Sequence, residues 1–506
     1  MVQKVAVIGA GISGLTSIKA CLDEGLEPTC FESSHDIGGL LRFKEKPEPG
    51  RANIYQSVVI TSSKEIMSLS DFPPLQLSSV CEACVRVRVC VCQTTVVSVR
   101  QTPDSAATGQ WEVETERREG QRETRVFDAV MVCTGHFTQP HLPLSDFPGT
   151  RNHYIPYFLS HLNETHCSCC YSNSYSLTNV YLSTRSGAWV VSRVGQRGLP
   201  ADLVGTSRMD MMIQKLFPSW INGMVEKKLD ETFDHALYDF FEQIPVVNDD
   251  LPARIISGRV QVKPNVKEFC GSSVVFVDGS IIDEVDVVVF ATGYNYSFPF
   301  LPPALQAKSG YRLRLYKHVF PPALTQPTLA VVGFIHSLGA INPLAEMQAR
   351  WATRVFKGFT TLPSEETMMK EIEKDTQNPL QVDYIPYLDS LAEQVGVRPN
   401  ILWLFLKDPR LALEVWLGPC TPYQYRLTGP GRWAGARQAI LTQWERVLQP
   451  FRTRLVPKPE TRASSRRSVI VVISGSALLC CFYYNKHLLS SFFSPLAFLR
   501  SPQYAA

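Results

Sequence analysis

The stretch KVAVIGAGISGLTSIKACLDEGLEPTCFESS, residues 4–34, constrains the fold of this chain more than any other. VAVI is a short apolar run that reads as a strand buried on both faces. The glycine turn Gly9-Ala10-Gly11-Ile12-Ser13-Gly14 follows, with the spacing G-x-G-x-x-G. LTSIKACLDEG then reads as a helix closed by Gly25, and EPTCFE as a second strand ending in Glu32. Each glycine meets a separate physical demand. Gly9 allows the tight turn, Gly11 the close approach of backbone to a pyrophosphate, and Gly14 the packing of helix on strand. The helix start offers unpaired N–H groups to phosphate. Glu32 stands eighteen positions after Gly14, where a carboxylate takes both ribose hydroxyls. A carboxylate there repels a 2′-phosphate, so this site suits FAD or NAD rather than NADP.

A second glycine turn, Asp36-Ile37-Gly38-Gly39-Leu40-Leu41-Arg42, comes soon after Glu32. A long flavin nucleotide needs such a turn on its way past, which favours FAD. VFDAVMVCTGH (126–136) and DVVVFATGYN (286–295) read as two further buried strands, each ending in Thr-Gly. Small residues there let the chain pass close to a bound nucleotide. Two such strands fit two dinucleotide-binding domains.

The rest of the composition excludes more than it assigns. The chain has 506 residues, 45% hydrophobic and 19% charged, enough for two or three filled domains. A net charge of +3 does not suggest a nucleic-acid partner. The opening MVQKVAVIGAGISG moves straight into a strand, without a charged-then-apolar leader, so a reducing, cytosol-facing setting is expected for it. The 14 cysteines are clustered rather than spaced as a disulfide framework. Cys81, Cys84, Cys90 and Cys92 stand near a zinc-ligand spacing, but Val-Cys-Arg alternation accounts for them without a metal, and none is assigned. A pyridine-nucleotide disulfide reductase would carry a redox cysteine pair soon after the first fingerprint, and no cysteine lies between Cys30 and Cys81. Asn163-Glu164-Thr165 is a glycosylation sequon by pattern and is read as chance. His136, His318 and His336 fall at or near strand ends and read as hydrogen-bonded core or rim residues rather than acid–base groups.

At the C-terminus the basic, Ser-rich PKPETRASSRR precedes SVIVVISGSALLCCFYY, then NKH, then LLSSFFSPLAFL. The first run is shorter than the roughly 20 residues a spanning helix needs. With the second it reads as a membrane anchor over 465–500 that spans or lies in the interface, its basic flank on the cytoplasmic side.

With these motifs in place, the chain resembles the flavin-containing monooxygenases of the microsomal, dimethylaniline type. GAGISG, CFESSHDIGGL, YQSVVITSSKE, STRSGAW, FATGYNYSFPFL and GPCTPYQYRL carry the likeness, which covers most of the chain. The resemblance implies an α/β fold of two Rossmann-like domains, for FAD and NADPH, with a C-terminal membrane-anchor tail. It places the FAD-binding domain in 1–149 and 291–455 and the NADPH-binding domain in 150–290. It implies an oxygenase on the endoplasmic reticulum, facing the cytosol, acting on small lipophilic xenobiotics and leaving open a homo-oligomer. NADPH would reduce FAD, O2 would add to give a flavin hydroperoxide, and a soft nitrogen or sulfur, or a ketone, would take the oxygen. By position, Gly9, Ala10, Gly11, Ile12, Ser13, Gly14 and Glu32 match the family's FAD contacts. Leu40 and Leu41 match a Leu-Trp pair, so the tryptophan is absent. Thr61, in the loop Ile60-Thr61-Ser62, matches an asparagine beside the flavin, and is the candidate catalytic residue. Asn342 falls in the region that matches the flavin-ring wall.

The family also has a second G-x-G-x-S-G before the STRSGAW strand. Here no glycine lies between Gly149 and Gly187. The family's F-x-G-x-x-x-H signature is missing too, while Arg185 survives as the partner expected for a 2′-phosphate. Residues 74–92, 150–179 and 236–246 all depart from the family pattern, and the first reads as a translated TG/CG repeat at a misassembled exon boundary. Two functions therefore stand side by side: an NADPH-competent oxygenase, and a member that holds FAD without accepting NADPH.

Overall fold

A computed structural model describes residues 2–45, 54, 58–73, 89–118, 120–149, 157–159, 179–195, 198–235, 237, 240, 245–306, 313–337, 339–374 and 380–452. The sequon at Asn163, Cys81 and Cys84, most of 150–179 and the anchor at 465–500 lie outside them. By contacts the chain divides into Met1–Pro450 and Phe451–Ala506, and the sheet, its covering layers and the cleft all belong to the first.

The opening unit folds as its pattern dictates. Strand β1 (Lys4–Ile8) runs into helix α1 (Ile12–Asp23) and strand β2 (Glu27–Phe31). Val5, Ala6, Val7 and Ile8 are all buried, because both faces of the sheet are covered. Gly25, with a left-handed φ of +68°, turns the chain out of α1, its N–H donating to the Leu22 carbonyl at 3.1 Å. β1 pairs in parallel with β2 on one side and with β7 (Ala129–Val132) on the other.

Beyond β7 the strand Leu329–Val331 adds in parallel, with Leu329 opposite Val130. At the other edge β3 (Cys90–Val91) pairs in parallel with β2. The resulting five-stranded sheet draws on residues more than 200 positions apart along the chain. Its edge strand comes from the Val-Cys-Arg segment, whose apolar alternation suits a half-buried strand.

One face of the sheet packs on α1 and on the helices Ile341–Phe356 and Tyr384–Val395 around Trp351, Leu344 and Leu388, each fully buried. The other face is covered by a meander of β4 (Thr94–Gln101), β5 (Trp111–Arg117) and β6 (Arg122–Phe127). Its Val96, Val99, Trp111, Val113 and Phe127 pack against Ala6, Ile8, Val130 and Val132. Each such side chain, fully buried, contributes about 1.5–3 kcal/mol. Trp111 also satisfies its one polar atom, donating from Nε1 to Thr328 Oγ1 at 2.9 Å.

The intervening region is built differently. Its parallel pairings come in two-stranded pieces: Val180–Ser183 with Val260–Lys263, Val190–Val191 with Val246–Val247, and Tyr157–Leu159 with Val288–Phe290. Tyr157–Leu159 forms a short strand inside the segment 150–179 that departs from the family pattern. Three residues are too few for a periodic signal, and it is pairing with the apolar Val288–Phe290 that makes them a strand. No helix among the described residues is long and apolar enough to cross a membrane.

Candidate functional site

A continuous cleft of about 2870 Å³ runs between the C-terminal ends of the β1–β2–β7 strands and the intervening region. The glycine loop forms its floor. Gly9 has φ +102°, and a Cβ on it would lie 2.6 Å from the Cys133 carbonyl oxygen. A Cβ on Gly14 would lie 1.8 Å from the Gly9 oxygen. Gly11 is the open position: its nearest neighbour is the Gly39 Cα at 3.7 Å. The two glycine turns back on one another there, with the Gly38 N–H donating to the Ala10 carbonyl at 2.9 Å. α1 begins at Ile12 without a side-chain cap, so the first amides of the helix have no intrahelical acceptor, and Gly11, Ile12 and Ser13 line the cleft. A shallow glycine cradle with unpaired N–H groups fits a dinucleotide pyrophosphate.

Glu32 is buried at the end of β2 and lines the same cleft. Its Oε2 accepts from the Ala10 N–H at 2.8 Å and its Oε1 from the Ser34 N–H at 2.7 Å. These amides fix the carboxylate at the cleft wall. Leu40 and Leu41 form a short 3-10 turn on the rim, Leu41 47% exposed.

Ile60, Thr61 and Ser62 line another part of the cleft, on a loop held at many points. Arg193 Nη2 donates to the Val59 carbonyl at 3.3 Å, and the Ser63 N–H donates to Asp202 Oδ2 at 2.5 Å. Glu65, fully buried, takes two bonds of 2.8 Å from Arg446 and one of 3.1 Å from the Tyr423 hydroxyl. Further on, Glu346 of the helix Ile341–Phe356 accepts from the Ser70 N–H at 2.7 Å and from Arg426 Nη2 at 2.9 Å. Asn342 lines the cleft and donates to the Met67 carbonyl at 3.1 Å.

Sequence reasoning did not single out this set of buried charges. Its only trace is charge inside apolar stretches, as at Glu346 in NPLAEMQARW and Arg426 in YQYRL. Arg426 and Lys19 hold the Asp71 carboxyl below the usual range despite burial, which works against its charge.

At another wall His136 and His336 meet, Nε2 to Nε2 at 3.0 Å, among Phe137, Tyr296 and Phe334. Burial, and then the neighbouring imidazole, push His136 down to about 3. Burial lowers His336 as well. Both rings are neutral at neutral pH, as expected for core or rim histidines.

Arg185 is exposed just past the strand Val180–Ser183 and lines this cleft too, followed by Gly187 at φ +76°. The structure thus brings Gly9, Gly11, Ile12, Ser13, Glu32, Leu40, Leu41, Ile60, Thr61, Ser62 and Arg185 to one cavity. Ala10 and Gly14 stand behind it as support. No group of three or more His, Cys, Asp or Glu among the described residues is placed to hold a metal ion.

The chain matches the family model described as flavin-binding monooxygenase-like over residues 2–79 and 82–485. It is 47% identical to mouse flavin-containing monooxygenase 5 over 511 residues, covering 91% of this chain and 96% of that one. It is 45% identical to human flavin-containing monooxygenase 5, at 92% and 96% coverage. Against mouse dimethylaniline monooxygenase [N-oxide-forming] 2 the identity is 44%, at 91% and 95%. Among solved structures, S-allyl-L-cysteine S-oxygenase from Allium sativum superposes with a TM-score of 0.56 at 22% identity, covering 89% of this chain and 99% of that one. NADP+-bound cyclohexanone monooxygenase from Rhodococcus sp. Phi1 gives 0.55 at 13% identity, covering 78% and 98%. At those identities the likeness is one of fold, a mixed α/β flavoprotein monooxygenase architecture.

Proposed function

Because this chain belongs to the flavin-binding monooxygenase-like family, we propose that it oxygenates soft nitrogen or sulfur centres, or ketones, of small lipophilic compounds, using FAD, NADPH and O2. The cradle formed where Gly11 meets Gly39, with Glu32 fixed beside it, is the observation that carries the reading. When bound there, flavin reduced by NADPH supplies the means to activate O2 and deliver one oxygen atom to a nucleophile.

The chain's own residues bind, orient and shield. The Gly11, Ile12 and Ser13 amides take the pyrophosphate, and the Glu32 carboxylate takes the ribose hydroxyls. Thr61 offers one hydroxyl to hydrogen-bond at the reacting end, with Ile60 and Ser62 continuing that wall. Leu40 and Leu41 cover the rim and exclude water. Arg185 meets the 2′-phosphate of NADPH as a fork of fixed charge.

The same reading assigns 1–149 with 291–455 to FAD and 150–290 to NADPH. Leu329–Val331 supports it by completing the sheet begun by β1. It also makes 465–500 an endoplasmic-reticulum anchor with the catalytic part in the cytosol and xenobiotics as substrates. The basic flank and apolar runs of that segment support this.

The test is consumption of NADPH and O2 by the purified yellow protein with a tertiary arylamine or a thioether. The expected result is matched consumption and a product heavier by one oxygen atom. A protein that emerges colourless and refuses added FAD contradicts the reading.

A further inference from the structure

The edge of the main sheet holds two cysteines face to face. Cys30 of β2 and Cys90 of β3 are directly opposed partners in the parallel ladder. Adjacent strands lie about 4.8 Å apart, inside the Cα separation of about 4.4–6.8 Å that a disulfide spans. Their thiols hydrogen-bond to each other, which draws Cys90 below the usual thiol range and pushes Cys30 above it. The other buried cysteines of this layer are engaged elsewhere: Cys133 with Ser17 Oγ at 3.3 Å and Cys21 with Met131 Sδ at 3.8 Å. Cys30 is fully buried and its Sγ also contacts the Gly9 carbonyl at 3.6 Å, while Cys90 is half-buried and reachable from solvent.

We propose that Cys30 and Cys90 are an oxidisable dithiol, converted by hydrogen peroxide into a disulfide that staples the sheet edge beneath the nucleotide loop. The Cys90 sulfur attacks one peroxide oxygen, the O–O bond breaks, and the first water leaves. The Cys30 sulfur then attacks the Cys90 sulfur, the S–S bond forms, and the second water leaves with the Cys30 proton. Two thiols and one peroxide thus give one disulfide and two waters. Peroxide is what an enzyme that reduces O2 at a flavin releases when no substrate intercepts the oxygen, and for that source alone the inference rests on the proposed function. Closure ties off the loop that carries Glu32, Gly38–Leu41 and Thr61, and it takes Cys30 Sγ away from the Gly9 carbonyl.

The test uses the reduced, full-length protein in detergent. It is treated with hydrogen peroxide, its remaining thiols are alkylated, and peptides are mapped without reductant. The expected result is loss of two free thiols, a peptide pair joining Cys30 to Cys90, and recovery of both by dithiothreitol. The variant Cys90→Val, which suits an edge strand, keeps its FAD and forms no such link. Cys90 joined to Cys92, or oxidised alone with Cys30 still free, overturns the proposal. The map needs no flavin, so a colourless protein that forms the link contradicts only the FAD reading. A yellow protein that does not form it contradicts only the dithiol.

Discussion

His136 and His336 share one proton between facing Nε2 atoms 3.0 Å apart, inside a ring of aromatic side chains. The accepting nitrogen cannot take a proton of its own without setting two N–H groups against each other. Burial and that neighbour hold His136 at about 3, below its ordinary 6.5. A depressed folded value means that the unfolded chain takes up a proton first on acidification. The stability involved is fully present above about pH 6.5. It is lost as pH falls toward 3, by at most about 1.4 kcal/mol per pH unit for this group. Denaturant melts of wild type and His136→Gln across that window should show a shallower pH slope in the variant. Equal slopes would contradict the assignment.

Gly11 and Gly14 should fail in different ways. A methyl at Gly14 meets the Gly9 oxygen at 1.8 Å, so Gly14→Ala must displace backbone and is expected to fold poorly. A methyl at Gly11 meets only the Gly39 Cα at 3.7 Å, and otherwise fills the cradle. Gly11→Ala should keep its circular dichroism and melting temperature while FAD affinity falls at least tenfold. Unchanged flavin titration in Gly11→Ala would sink the cradle.

The Glu346–Arg426 pair is 4% exposed on both sides and ties Ser70 to the cleft-lining helix. Removing the Glu346 charge leaves the buried Arg426 with Asp71 alone, so Glu346→Gln should cost stability, by at most about 3–5 kcal/mol in unfolding experiments. The double change Glu346→Leu with Arg426→Met should lose less than Glu346→Gln, since an apolar pair of similar volume leaves no buried charge at either position and Asp71 keeps Lys19. Arg350 lies beside this set, pushed down to about 10 by burial and then by Arg426, and gains nothing from losing the Glu346 carboxylate.

On the proposed reading, Arg185 at the cleft is what selects a phosphorylated nicotinamide. Arg185→Ala should raise the KM for NADPH about tenfold or more and leave that for NADH nearly unchanged. Thr61→Asn should leave FAD content intact and lower peroxide release per NADPH oxidised, because a carboxamide reaches farther than a hydroxyl. Steady-state assays with both nicotinamides and a peroxide readout check the two variants together.

The first dinucleotide unit was legible in the sequence because one short stretch held every constraint: apolar strand, glycine spacing, helix and terminal acid. That Gly11, Glu32 and Arg185 would come to one cleft was likewise readable, each from its position relative to a motif. The charge network of Glu65, Arg446, Glu346 and Arg426 was not, because its members lie up to 381 positions apart and no local pattern joins them. The pairing of Tyr157–Leu159 with Val288–Phe290 was hidden for the same reason. Cys90 looked like part of a repeat, yet its alternation with valine is what a sheet edge accepts, and its partner Cys30 is 60 positions away. The family resemblance supplied the role proposed for Thr61, which no spacing would have indicated.

The most direct measurement is anaerobic mixing of the purified flavin-loaded protein with NADPH while the flavin absorption band is followed. The account predicts rapid bleaching, and return of the oxidised band when O2 is admitted. A protein that keeps its flavin but shows no bleaching by NADPH would contradict it, and would make the chain a flavin carrier rather than an oxygenase.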